Sequence, residues 1–113
     1  MTECLFCKIA SKQIPAELIY EDEDLAAFND IAPKAPVHIL IVPKKHIESV
    51  AGLEEKDAKL IGKMILLAKK LAEEKQIASS GYRLVFNTRK NSGQIVEHLN
   101  LHLIGGKLLG GMV

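Results

Sequence analysis

Very little in these 113 residues points outward. The formal net charge is +1, so no strong field marks the chain for DNA, RNA or an anionic membrane. No apolar run is long enough to span a bilayer. The opening Met1-Thr2-Glu3-Cys4 lacks the basic and apolar regions of a signal peptide, so a soluble cytoplasmic protein is expected. Internal repeats, linkers and low-complexity segments are all missing. Only two cysteines occur, spaced Cys4-x-x-Cys7. In a reducing compartment that pair reads as metal-binding or redox-active rather than as a structural disulfide. What remains is one domain, residues 1–113, whose 48% hydrophobic content is enough for a real core.

The chain reads as an ordered series of short elements. Glu3 to Ser11 suits a short helix or turn that ends near Ile14-Pro15. Glu17–Glu21 and Leu25–Asn29 read as strands joined into a hairpin by the acidic turn Asp22-Glu23-Asp24. Two prolines make residues 30–36 a loop. Val37–Val42 is an apolar, β-branched run expected as a buried strand. Glu54–Lys75 is the long helix, with Leu60, Ile61, Met64, Ile65, Leu67, Ala68 and Leu71 at helical spacing. Gly62 inside it costs up to about 1 kcal/mol relative to Ala and leaves room for a close approach. Tyr82–Asn87 reads as a further strand, and Thr88–Gly93 as a polar loop. The sum is an α+β arrangement: an antiparallel sheet, one long helix and a short N-terminal helix.

Val96 to Gly105 is the most informative stretch. Strict alternation predicts a strand with Val96, His98, Asn100, His102 and Ile104 on one face and Glu97, Leu99, Leu101 and Leu103 on the other. The leucine face wants a core. Polar rings in a row are costly to bury without partners, so the opposite face wants hydrogen bonds, a metal or a ligand.

Cys4-x-x-Cys7 supplies half of a tetrahedral zinc site, which His46 and His98 can complete if the N-terminal turn packs on the sheet edge. A thioredoxin-type redox pair is the alternative, although its βαβ context is missing. Two buried cysteines acting as small hydrophobes are another. A closed set of four ligands leaves no position for water and would be structural.

A second constellation suits a phosphate. Backbone N–H groups at Gly93-Gln94 can face an anion. Asn100 and His102 follow on the next strand, Asn87 ends the preceding one, and His38 sits within an apolar run. Asp30 is usually a turn former in such a loop, and it can also accept two ribose hydroxyls. Each bland reading wins singly; their convergence favours a site.

These residues resemble the histidine triad (HIT) proteins, specifically the nucleotide-binding branch that hydrolyses nucleoside phosphoramidates. The likeness runs through Cys4-Leu5-Phe6-Cys7-Lys8-Ile9 and Phe28-Asn29-Asp30-Ile31-Ala32-Pro33-Lys34-Ala35-Pro36-Val37-His38. It continues through Val42-Pro43-Lys44-Lys45-His46-Ile47, Asn87, Gly93-Gln94 and His98-Leu99-Asn100-Leu101-His102-Leu103-Ile104-Gly105-Gly106. The resemblance implies a HIT-like fold that forms a homodimer, with the long helices at the interface and two sheets making one continuous surface. It implies a purine nucleotide cleft at Asp30, Ile31, Asn87, Gly93, Gln94, Ile95, Asn100 and His102. It also implies structural zinc on Cys4, Cys7, His46 and His98, with no metal needed for the chemistry.

One departure bears on activity. The signature is His-x-His-x-His, and its middle histidine attacks phosphorus; here that position is Asn100. A carboxamide nitrogen has a delocalised lone pair and cannot form the nucleotidyl intermediate. Binding retained with turnover mostly lost is the expectation, with His38 and His102 left to orient and stabilise charge. Ile95 stands where many relatives carry Ser, and the tail Lys107–Val113 lacks the Trp of some relatives. A binding or scaffold protein without turnover and a metallohydrolase are the competing readings.

Overall fold

Each apolar run between turn residues is only four to seven residues long, so the chain builds short strands. The computed structural model describes residues 4–111. Among them, β1 (Leu18–Glu21), β2 (Leu25–Asn29), β3 (Val37–Pro43), β4 (Tyr82–Phe86) and β5 (Leu101–Gly105) form one sheet in the order β1-β2-β3-β5-β4. Every neighbouring pair is antiparallel. The helices are α1 (Leu5–Ala10) and α2 (Ala58–Glu74), so the expected α+β architecture holds. The expectations for Met1–Glu3 and Met112–Val113 lie outside the described residues.

Strand alternation gives the sheet two different faces. Leu25, Ala27, Ile39, Ile41, Leu101 and Leu103 pack against Met64, Leu67, Ala68, Leu71 and Ala72 of α2. Ala26, Phe28, Leu40 and Val42 point the other way, onto Phe6 and Ala10 of α1. Phe6 meets Phe28 edge-on with ring centroids 5.6 Å apart. In the β3–β5 register Leu40 faces His102 and His38 faces Ile104, so both imidazoles belong to the α1 side.

Local chemistry sets the element ends. Asp22 closes the β1–β2 hairpin by accepting the N–H groups of Asp24 and Leu25, each at 2.8 Å. Burial works against its charge, but the Tyr20 hydroxyl, those two amides and Lys63 hold its carboxyl well below the usual range. The helix expected from Glu54 starts at Ala58, because Glu55–Asp57 forms a 3₁₀ turn first. There the Asp57 carboxylate accepts the Glu54 N–H at 2.9 Å and so caps the start. Among the described residues no atom outside its own helical backbone lies within 4 Å of a Cβ built at Gly62, so the close approach that this glycine permits is not used there. It is made at Gly105, where a Cβ would sit 2.8 Å from Ile77 Cδ1 just after α2.

Candidate functional site

The final strand is shorter than its alternation predicts. Residues 96–100 precede β5 as irregular chain. His98 N–H turns back to the Val96 carbonyl at 2.9 Å, and Leu99 N–H donates to Ile47 O at 2.6 Å. His98 Nε2 lies 2.7 Å from the Pro43 carbonyl, and the whole residue is buried. Two backbone N–H groups go to a turn and a long-range carbonyl instead of a ladder partner, and the His98 ring joins the two cysteines of the α1 side while Asn100 and His102 line the cavity. The leucine alternation survives this: Leu99, Leu101 and Leu103 all stay in the α2-side core.

Asn100 is 8% exposed, and its Nδ2 donates to the His98 carbonyl at 2.8 Å. Beside it, hydrogen bonds define the protons of a histidine pair. Lys34 N–H donates to His38 Nδ1 at 3.0 Å, which leaves the His38 proton on Nε2. That Nε2–H donates to His102 Nδ1 at 2.8 Å, so the His102 proton sits on Nε2. Burial lowers the pKa of His38; Asp30 opposes the shift and Lys34 adds to it. Burial lowers His102 as well, reinforced by His38 and opposed by Asp30. Both rings are neutral at pH 7, as the donor chain requires. Asp30 Oδ2 lies 3.5 Å from His38 Nε2, and its Oδ1 accepts Ala32 N–H at 2.8 Å. Asp30, His38 and His102 are close enough to hold an ion. However, His38 uses its one lone pair on Lys34 N–H, which removes it as a ligand in this arrangement.

A cavity of about 620 Å³ opens over this pair, within the usual range for a small-ligand site. Asp30, Ile31, Asn87, Gly93, Gln94, Ile95, Asn100 and His102 all line it, as expected from the sequence. His38 does not; it stands behind His102. Ile31 and Ile95 are 98% and 93% exposed at the rim. One expectation is refined: Gly93 N–H and Gln94 N–H are taken by the carbonyls of Lys90 and Arg89 at 3.0 and 3.3 Å. Among the described residues no acceptor takes the N–H of Ile95 or Val96, so the open donors come one step later.

Cys4, Cys7, His46 and His98 converge at the end of α1. Sulfur to His98 Nδ1 is 3.1 Å from Cys4 and 3.2 Å from Cys7. To His46 Nδ1 the corresponding distances are 3.6 and 3.2 Å, and the two Nδ1 atoms are 3.1 Å apart. A tetrahedral zinc ion about 2.3 Å from sulfur and about 2.1 Å from nitrogen implies S···N edges of ~3.6 Å. The cluster sits at or just inside that spacing. The hydrogen bond behind His98 fits too: with its proton on Nε2, held by Pro43 O, Nδ1 offers its lone pair inward. The four residues can therefore hold a metal such as zinc. Cys4 also caps α1, its Sγ accepting Cys7 N–H at 3.2 Å.

Residues 3–112 match the family model described as scavenger mRNA decapping enzyme C-term binding. The crystal structure of a HIT family hydrolase from Legionella pneumophila superposes with a TM-score of 0.94 at 46% identity, covering 96% of each chain. The chain belongs to this family, the histidine triad (HIT) family. A histidine triad protein from Clostridium difficile also superposes at a TM-score of 0.94, with 39% identity over 100% of both chains. The purine nucleoside phosphoramidase of Escherichia coli K12 is 43% identical over 111 residues, 98% of this chain and 93% of that protein.

Sequence reasoning missed one wall of the HIT cleft. Leu5, Phe6 and Ile9 of α1 and the Ile14–Glu17 segment also line the cavity. The signal was the apolar side of a six-residue helix beside Cys4-x-x-Cys7, legible only once the cysteines are tied to His46 and His98.

Proposed function

We propose that this HIT protein binds a purine nucleotide in the cavity beneath α1, and that Asn100 suppresses the phosphoramidate hydrolysis of its relatives. Support for the substrate class comes from the 43% identity to a purine nucleoside phosphoramidase. The observation that carries the reading is the Asn100 side chain, which lines the cavity beside His102 and donates to the His98 carbonyl. An imidazole at position 100 would spend Nδ1–H on that carbonyl and turn its Nε2 lone pair to the cleft. Attack on the α-phosphorus would form a P–N bond to the ring as the bond to the leaving amine breaks. The amine leaves with a proton taken up from water, while His102 Nε2–H, in the tautomer that His38 sets, donates a hydrogen bond to a phosphoryl oxygen and stabilises its charge. Water would then hydrolyse the nucleotidyl-histidine. A carboxamide offers the same hydrogen bond without the nucleophilic lone pair.

Asp30 takes the ribose hydroxyls in this reading, Asn87 and the Gly93–Val96 segment approach the phosphate, and Ile31 packs on the base. Zinc, when bound, supplies structure: it would tie α1, His46 and the chain just before Asn100 together. The homodimer belongs to the same reading, supported by Ile65 and Leu66, 42% and 67% exposed on α2, and by Leu84 on edge strand β4. Paired thiols suit a cytoplasmic setting, and no described helix is long and apolar enough to cross a membrane.

The test is Asn100→His assayed on adenosine 5′-phosphoramidate, with AMP binding measured in parallel. Loss of such a nucleophile costs on the order of 10⁴–10⁶ in kcat, and the reversion should recover much of it. A variant that binds AMP yet gains no turnover favours the second reading, a nucleotide-binding or scaffold protein. That reading is supported by the same Asn100.

A further inference from the structure

The segment that borders Asn100 and His102 in the cavity is held from behind by one side chain. Gln94 is half-buried, and both N–H groups of its carboxamide are spent inside the protein. Its Oε1 accepts Arg89 N–H, while Nε2 donates to Glu48 O at 2.7 Å and to Val96 O at 3.0 Å. Both N–H donors are used, so none remains for a ligand. The bonds span the whole turn, from its first residue to the chain leaving it, and anchor it to the strand-end segment that carries His46.

Arg89 shows why such an anchor is needed. Its φ is +64° and ψ −174°, a region that disfavours any side chain. Its backbone is the hub of the turn: the N–H is held by Gln94, and the carbonyl accepts Ser92 Oγ at 2.7 Å and the amides of Ser92 and Gln94 at 3.3 Å. The Arg89 side chain also meets Glu48 Oε1 at 3.0 Å. That pair is 67% and 37% exposed, and water screens it.

We propose that Gln94 is a positioning residue: by bridging Arg89, Glu48 and Val96 it holds residues 89–96 in the shape that presents the Ile95 and Val96 amides to a nucleotide phosphate. This deepens the nucleotide reading above and rests on it. The donors belong to the backbone, and both N–H groups of the Gln94 carboxamide are held inside the protein, so its loss should be felt by the phosphate alone. It acts by preorganisation.

The experiment uses the whole 113-residue chain with zinc supplied. AMP and adenosine are titrated calorimetrically into wild type, Gln94→Ala, Gln94→Met and Arg89→Ala, and amide exchange is followed over residues 89–96. Both Gln94 variants should weaken AMP by about tenfold, the scale of a hydrogen-bonded brace, while adenosine affinity stays put. Arg89→Ala should stay within about twofold, because its ion pair is exposed. Exchange over residues 89–96 should quicken in the Gln94 variants alone. A parallel loss of AMP and adenosine, or no loss of either, overturns the proposal. If wild type binds neither, the nucleotide reading fails, and unquickened exchange would then remove the brace as well.

Discussion

The two faces of the sheet are built from the same strands and end in opposite roles. The α2 face is a row of Leu25, Ala27, Ile39, Ile41, Leu101 and Leu103, none more than 1% exposed. The α1 face starts in the same way with Ala26, Phe28, Leu40 and Val42, then turns polar at His38 and His102. The difference lies in what covers each. A helix of 17 residues spans the first face, whereas one of six reaches only part of the second. Where α1 stops, a cleft remains, with His102 at its floor and His38 behind it. A face becomes core or site according to the length of its cover, and the side chains follow suit.

That contrast can be broken or sharpened by experiment. The largest effect is expected from Asn100→His on the open face: phosphoramidate turnover should rise by at least about 10³-fold, measured as steady-state kcat, with little change in melting temperature. The mirror experiment is Leu103→Ala on the closed face. It should cost about 2–5 kcal/mol in urea unfolding while the folded fraction keeps its AMP affinity. A change in affinity per folded molecule would mean that the faces are not independent. Chelating metal from the Cys4, Cys7, His46 and His98 cluster should act on the α1 side only. The expected result is a melting temperature lower by roughly 5 °C or more, with faster amide exchange over residues 5–10 than over 58–74.

The smallest effect is a pH slope. His38 and His102 have folded pKa values held below the ordinary 6.5. As pH falls beneath that value the unfolded chain takes up protons that the buried pair refuses, so stability present above pH 6.5 drains away below it. In metal-loaded protein, His38→Gln should flatten the decline of melting temperature between pH 7 and pH 5. An unchanged slope would place the titrating groups elsewhere.

Much of the fold was legible because it follows from local period. Val37–Val42 reads as a strand from β-branching alone, and the stripe from Leu60 to Leu71 reads as a helix packed on one side. The cavity residues were legible as well, through resemblance and through the crowding of His, Asn and Asp types. The boundary at Leu101 was not, since nothing within Val96–Asn100 says that Val96 O and Ile47 O will outbid a ladder partner. The helix start at Ala58 slipped for a smaller reason: Asp57 caps a 3₁₀ turn that has the same composition as a first helical turn.

Alternation, turn residues and the chemistry of each side chain were therefore determined by the sequence by itself, including the carboxamide at position 100. Which lone pairs and protons face one another was decided only in three dimensions. His38 meets His102 across 64 residues, and Cys4 meets His98 across 94. Periodicity is a property of neighbours in the chain. The choice of a hydrogen-bond partner is a competition among all groups that folding brings within about 3 Å, and it has no local signature.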